Sequence, residues 1–217
     1  MDIEIWSDIA CPWCYVGKRR FETALERFEH RDDVTVTYRS FELDPEAPAE
    51  RPGEMAALVA AKYGIRVEQA RARQAELAAL AAADGLDLDF ETARAANTFD
   101  AHRLVHLAHA HGRQADMKER LQRAYFTDGE LISDRDTLVR LAAEIGLDAE
   151  EVRTALAGDA YADAVRDDER TAAALGIQGV PMFVVDRALG ASGAHPPEAL
   201  LDLLRQGWEA RAAAPTG

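Results

Sequence analysis

The strongest constraint on this chain is an abrupt change of hydrophobic period at Cys11-Pro12-Trp13-Cys14. Before it, residues 1–10 read as a strand, with Ile3, Ile5 and the β-prone Trp6 set among Asp2, Glu4 and Asp8. After it, Tyr15, Phe21, Ala24, Leu25 and Phe28 recur at helical spacing, and Lys18, Arg19, Arg20, Glu22 and Glu26 take the other side. The cysteine pair therefore falls on the first turn of a helix fed by a strand. Pro12 suits that place, because the first helical position needs no N–H and proline's φ is already helical. An alternating, β-branched stretch follows at 34–41 and closes at Asp44-Pro45. Strand, helix and strand in close succession make a βαβ unit, most simply with parallel strands and a right-handed crossover.

The remainder of the 217 residues suits one large domain or one domain with an insertion. From about Pro52 to Asp159 the composition turns to Ala, Leu, Glu and Arg. Helices are expected at 53–62, 68–83, 99–111, 116–126, 136–144 and 149–157, with Gly64, Gly85, Gly112, Gly129, Gly146 and Gly158 at C-caps or turns. A further helix at 161–175 leads into Gly176-Ile177-Gln178-Gly179-Val180-Pro181 and a strand at 182–186. Residues 189–192 are expected to pair with that strand, and Pro196 opens a last amphipathic helix to about 210. The expected class is α/β: a thioredoxin fold, β-α-β then α-β-β-α, interrupted by an all-helical insertion. The corresponding partition is 1–50 and 160–217 for the thioredoxin-like domain and 51–159 for the insertion.

With 48% hydrophobic and 29% charged residues the chain can bury a core. Its 25 basic and 39 acidic residues give a net charge of −14, a surface field that repels phosphate backbones and anionic lipid. Nucleic acid and membranes are therefore not expected partners. No apolar run approaches the ~20 residues that span a bilayer. The first residues show no basic, apolar and small-residue succession of a secretion signal, so the expected location is the cytoplasm. In a reducing compartment the two cysteines of the chain are not a structural staple, and the choice narrows to redox chemistry, metal binding or inert thiols.

The position decides among these. Unsatisfied N–H groups and the positive end of the helix dipole stabilise a thiolate at the first cysteine of such a motif, making Cys11 the expected nucleophile. Cys14, one turn on, is placed to attack a mixed disulfide and release the substrate. A zinc site would need further ligands from a distant helix, where His102, His106 and His109 share a face at i, i+4 and i+7. They lack a flanking His-Glu-x-x-His pattern and read as an ordinary amphipathic face, so no metal is expected. Pro12 and Trp13 set the bulk and donors beside Cys11. Trp13 reads equally as a shield and as a substrate contact.

Four stretches carry a family resemblance. Residues 3–18, Ile3-Glu4-Ile5-Trp6-Ser7-Asp8-Ile9-Ala10-Cys11-Pro12-Trp13-Cys14-Tyr15-Val16-Gly17-Lys18, resemble the opening of DsbA-family thioredoxin-like proteins of the FrnE subgroup. Asn97-Thr98-Phe99-Asp100-Ala101-His102-Arg103, Gly176 to Phe183, and Ser192-Gly193-Ala194-His195-Pro196-Pro197 match as well. The resemblance implies a disulfide oxidoreductase or isomerase with Cys11 as nucleophile, Cys14 as resolving thiol and a cis Pro181 after Val180. It further implies that Asn97, Thr98, His102 and Arg103 line a substrate groove, with capping as the competing role for His102 and Arg103. One departure stands out: the buried acid that thioredoxin and DsbA carry six residues before the first cysteine is here Ile5.

The same extended fold resembles 2-hydroxychromene-2-carboxylate isomerases and kappa-class glutathione transferases, which typically use a serine where Cys11 stands. Expected partners are thiol- or disulfide-containing proteins or small molecules. No cofactor is needed beyond the disulfide itself, with glutathione open as co-substrate. A chaperone-like binding module is the non-enzymatic alternative, and the Ala-rich helices permit a homodimer without requiring one.

Overall fold

The computed structural model describes residues 1–213. The chain divides into two units, one of Met1–Leu43 with the chain from Val165 on, the other Asp44–Ala164. The crossings stand beside the 50/51 and 159/160 expected from composition. Residues 44–51 are held in the second unit by the Arg51–Asp44 ion pair (3.0 Å) and by the Arg51 N–H donated to Ala95 O (2.8 Å). At the other crossing the break falls inside a helix.

In the first unit, β1 (Asp2–Ser7) runs parallel to β2 (Thr35–Ser40), with Ile5 opposite Tyr38 and Ser7 opposite Ser40. α1 (Pro12–Glu26) makes the connection. β3 (Met182–Val185) pairs antiparallel with β1 and with β4 (Leu189–Ser192), giving the order β2-β1-β3-β4. Alternation sends neighbouring residues of β1 and β3 into different cores. Ile3, Ile5, Phe183 and Val185 join Phe21 and Ala24 of α1, Phe28 just beyond it, and Leu200, Leu201 and Leu204 of α9 (Pro197–Ala213). Trp6 and Val184 join Ala172 of α8 (Ala162–Ala174) and Ile177. The two central strands are thus covered on both faces, which is why they are the most apolar.

The second unit contains α2 (Met55–Tyr63), α3 (Val67–Ala83), α4 (Phe99–Ala110), α5 (Gln114–Phe126), α6 (Arg135–Glu144) and α7 (Ala149–Ala157). Asp134 and Asp148 cap α6 and α7, each accepting N–H groups of the first turn. Five of the six anticipated glycine stops have positive φ. Gly158 does not, with φ −98°, and the end of α7 is closed by Arg103 instead. Among the described residues no helix is long and apolar enough to cross a membrane.

Candidate active site

Cys11 is the N-cap of α1. Its backbone is extended (φ −95°, ψ 109°), its carbonyl accepts the Cys14 N–H at 3.0 Å, and its sulfur accepts the same N–H at 3.3 Å. Pro12 follows at the first helical position, and the helix turns Cys14 inward. Neither cysteine is in a disulfide and both are buried, Cys11 at 4% and Cys14 at 2% exposure, while Trp13 between them is 43% exposed. The loop before β3 brings Val180 O to 3.7 Å from the Cys11 sulfur, and the Val180–Pro181 peptide is cis. Cys11, Pro12, Trp13, Cys14, Val180 and Pro181 thus form one constellation at one end of the sheet.

Several contacts fix it. Pro181 O accepts from Gly193 N (2.8 Å), and Arg20 of α1 donates to Ala194 O (2.9 Å), so the 192–197 stretch braces the Pro181 loop. Asp8 Oδ2 accepts from Leu43 N at 2.8 Å and ties together the chain ends leaving β1 and β2. Gly17 is a positioning residue that sequence reasoning left without a role. A Cβ there would stand 3.0 Å from Pro181 Cγ and 3.4 Å from Phe183 Cζ. Glycine inside a helix is unfavourable by about 1 kcal/mol relative to alanine, so its presence there is itself a signal of close approach.

Two buried carboxylates of this unit contrast. Glu4 lies between Arg187 (2.8 Å) and Arg39 (2.7 Å); the hydrogen bond from Arg187 leads in holding it below the ordinary range, with Arg39 adding to it and burial opposing. Glu42, beyond β2, is fully buried and shares the single Arg166 with Glu169, at 2.6 and 2.7 Å. Burial pushes Glu42 up to about 7 against Arg166, with the Glu169 charge adding to the rise. Each of this pair keeps a buried oxygen without a hydrogen-bond partner, Glu42 Oε1 and Glu169 Oε1.

Asn97, Thr98, His102 and Arg103 belong to the helical unit. Asn97 Oδ1 accepts Phe99 N (2.8 Å) and its Nδ2 donates to Ala47 O (3.2 Å). Thr98 is the buried N-cap of α4, its carbonyl accepting His102 N. Arg103, 4% exposed, donates to the carbonyls of Ala155, Gly158 and Ala160 and pairs with Asp100. Those carbonyls are the open end of α7 and the turn beyond it, so Arg103 is a helix cap. His102, His106 and His109 run from buried to exposed along α4. Among the described residues no three His, Cys, Asp or Glu side chains are arranged to hold a metal.

The chain is 50% identical to a probable DsbA oxidoreductase from Streptomyces coelicolor, with a TM-score of 0.95 over 100% of this chain and 93% of that one. It is 28% identical to YwbO, an uncharacterized protein of Bacillus subtilis, over 88% of this chain and 90% of the relative. It shares its fold with the cytosolic disulfide reductase DsbM of Pseudomonas aeruginosa at 22% identity, TM-score 0.66, over 98% and 100% of the two chains. Residues 2–205, which take in both cysteines, the Pro181 loop and the whole helical unit, match the DSBA-like thioredoxin domain, and the chain belongs to that family.

Proposed function

We propose that this protein is a thiol-disulfide oxidoreductase working through Cys11 and Cys14. The observation that carries the reading is the Cys11 sulfur at the N-terminus of α1, accepting a helical N–H at 3.3 Å beside a backbone carbonyl at 3.7 Å. Cys11 as thiolate attacks a substrate disulfide; one substrate sulfur leaves with the bonding pair and takes a proton, and the other remains in a mixed disulfide. Cys14 then loses its proton and attacks the Cys11 sulfur, forming the Cys11–Cys14 bond and releasing the second substrate thiolate. Two electrons pass from protein to substrate, and the reverse sequence oxidises a dithiol. The Val180 backbone beside the sulfur gives an extended substrate chain a place to pair. Glutathione is the proposed co-substrate that returns the pair to the dithiol, a reading in keeping with a reducing cytoplasm.

Equilibration in glutathione buffers, with free thiols trapped by alkylation, tests this. The expected result is one two-electron transition, and a glutathione adduct at Cys11 only in Cys14→Ser. A potential near about −270 mV makes the protein a reductant and one near about −120 mV an oxidase or isomerase. If no internal disulfide forms at any poise and only the adduct appears, the dithiol mechanism fails and a glutathione-dependent isomerase or transferase takes its place.

A further inference from the structure

Glutamate is almost never fully buried unless paired, yet the side chain of Glu42, just beyond β2, has 0% exposure, and Glu169 of α8 meets it there at 22%. Arg166, one turn before Glu169 on α8, sends a single nitrogen to both. Its Nη1 donates to Glu42 Oε2 at 2.6 Å and to Glu169 Oε2 at 2.7 Å. The other oxygen of each carboxyl, Oε1, is buried and has no hydrogen-bond partner. The two carboxyl groups are themselves within hydrogen-bond reach of each other. Two ionised carboxylates cannot make that bond, because each can only accept. One proton removes the conflict and gives both orphan oxygens a partner.

The charged groups on the neighbouring elements favour that proton. Asp168 of α8 accepts from Arg39 at 3.1 Å and from Ser40 N at 2.8 Å. Glu4 of β1 lies between Arg39 and Arg187. Asp8, beyond β1, accepts Leu43 N at 2.8 Å, and Asp44 pairs with Arg51 at 3.0 Å. The carboxylates of this set outnumber its cations, so they act in the same direction as burial. The pair also stands where two segments of the active site are joined. Leu43, next after Glu42, holds Asp8 three residues before Cys11, and α8 runs on into the 176–181 loop that carries Val180.

We propose that Glu42 and Glu169 hold one proton between them and act as a pH-sensitive clasp fastening the exit of β2 to α8. In the closed clasp Glu42 donates through one oxygen to Glu169 and keeps its bond from Arg166 through the other. Glu169 remains the anion, and Arg166 balances its charge. When the proton leaves for solvent, two negative charges face each other at a place where Glu42 cannot reach water. Glu169, the more exposed of the two, then turns outward and the exit of β2 loses its hold on α8. The clasp opens as pH rises through about 7, the value to which burial pushes Glu42 against Arg166. Neither cysteine takes part, so the clasp stands apart from the thiol-disulfide reading above.

The test is infrared spectroscopy and amide hydrogen exchange on the wild type, Glu42→Gln and Glu169→Gln, about one pH unit below and about one above that value. At the lower pH the wild type is expected to show a protonated-carboxyl band that disappears at the higher. The band is expected to be missing from both variants, since either glutamine supplies the N–H that replaces the shared proton. A proton belonging to Glu42 alone would survive in Glu169→Gln. Exchange of the Leu43 N–H, corrected for its intrinsic rate, should rise about tenfold across the interval in the wild type and stay constant in both variants. The Met117 N–H, bonded to Arg113 O in the helical unit, is the control and should change less than that of Leu43. No band in the wild type, a band that persists in Glu169→Gln, or a Leu43 rate that does not outrun the control overturns the proposal. Should Glu42→Gln fail to fold, Glu169→Gln, altered at the more exposed side chain, decides alone by the same two readings.

Discussion

α1 and α4 both begin at a buried cap residue, Cys11 and Thr98, and the side chains around the two caps are committed to different degrees. At α1 the capping group is a sulfur, a weak acceptor, holding the Cys14 N–H at 3.3 Å. At α4 the Asn97 amide is committed at both ends, and the guanidinium of Arg103 reaches three carbonyls and the Asp100 carboxylate. A group already bound to strong acceptors is scaffold, because any ligand must first replace those bonds. A sulfur that caps a helix weakly can leave the cap when a better electrophile arrives.

The largest expected effect separates the two sites by activity. Cys11→Ser should lower disulfide turnover on the order of 10³-fold or more, since the hydroxyl is a poor nucleophile at neutral pH. Serine is itself a preferred N-cap, so the denaturation midpoint should stay close to that of wild type. Retained turnover in this variant would place the chemistry elsewhere. The converse variant is Arg103→Gln, which leaves three carbonyls and Asp100 short of donors. It should lose about 3–5 kcal/mol in a urea titration while the reduction potential of the cysteine pair stays where it was. A shift in potential without loss of stability would transfer Arg103 to the functional side.

This contrast also explains how much was legible beforehand. The cysteine pair was readable because two rare residues one helical turn apart, with Pro12 between them, fix both an element boundary and a chemistry. The strands were readable because Ile3, Ile5, Trp6, Phe183 and Val184 alternate between two cores. Arg103 was not readable as a cap, because its acceptors are main-chain carbonyls 52 to 57 residues away, and carbonyls have no signature in sequence. The role of Gly17 was not readable either, because the Pro181 ring that requires it lies 164 residues away along the chain. Glu42 and Arg166 are 124 residues apart, too far for any spacing rule to pair them.

A pH series sharpens the comparison, since stability can be followed while both helix starts are left intact. The folded chain keeps the Glu42 proton up to about 7, whereas the unfolded carboxyl releases it near 4.5. Between those values the folded state binds more protons, so its stability falls as pH rises and levels off above about 7. The contribution is about 3 kcal/mol at most. Glu42→Gln imitates the protonated carboxyl and should flatten the curve, making the variant the more stable protein at alkaline pH. A flat wild-type curve would show that Arg166 holds Glu42 ionised throughout.

The smallest effect bears on the weakest member of the α4 motif. Asn97 has two separable duties: its Oδ1 caps the Phe99 N–H at 2.8 Å, and its Nδ2 holds the 45–47 segment through Ala47 O at 3.2 Å. Asn97→Ala removes both and should cost about 1–2 kcal/mol. Asn97→Ser keeps a capping oxygen and drops the amide donor, so it should recover about half of that loss. Asn97→Asp also keeps the cap but turns an oxygen toward the Ala47 carbonyl, and that repulsion should offset the gain from a negative charge at a helix start. Stability should therefore rank wild type, Ser, then Asp and Ala together, with one reduction potential for all four proteins. If the potential followed the series instead, Asn97 would belong with Cys11, and the division between reactive and scaffold helix starts would fail at the residue where it is least protected by bond count.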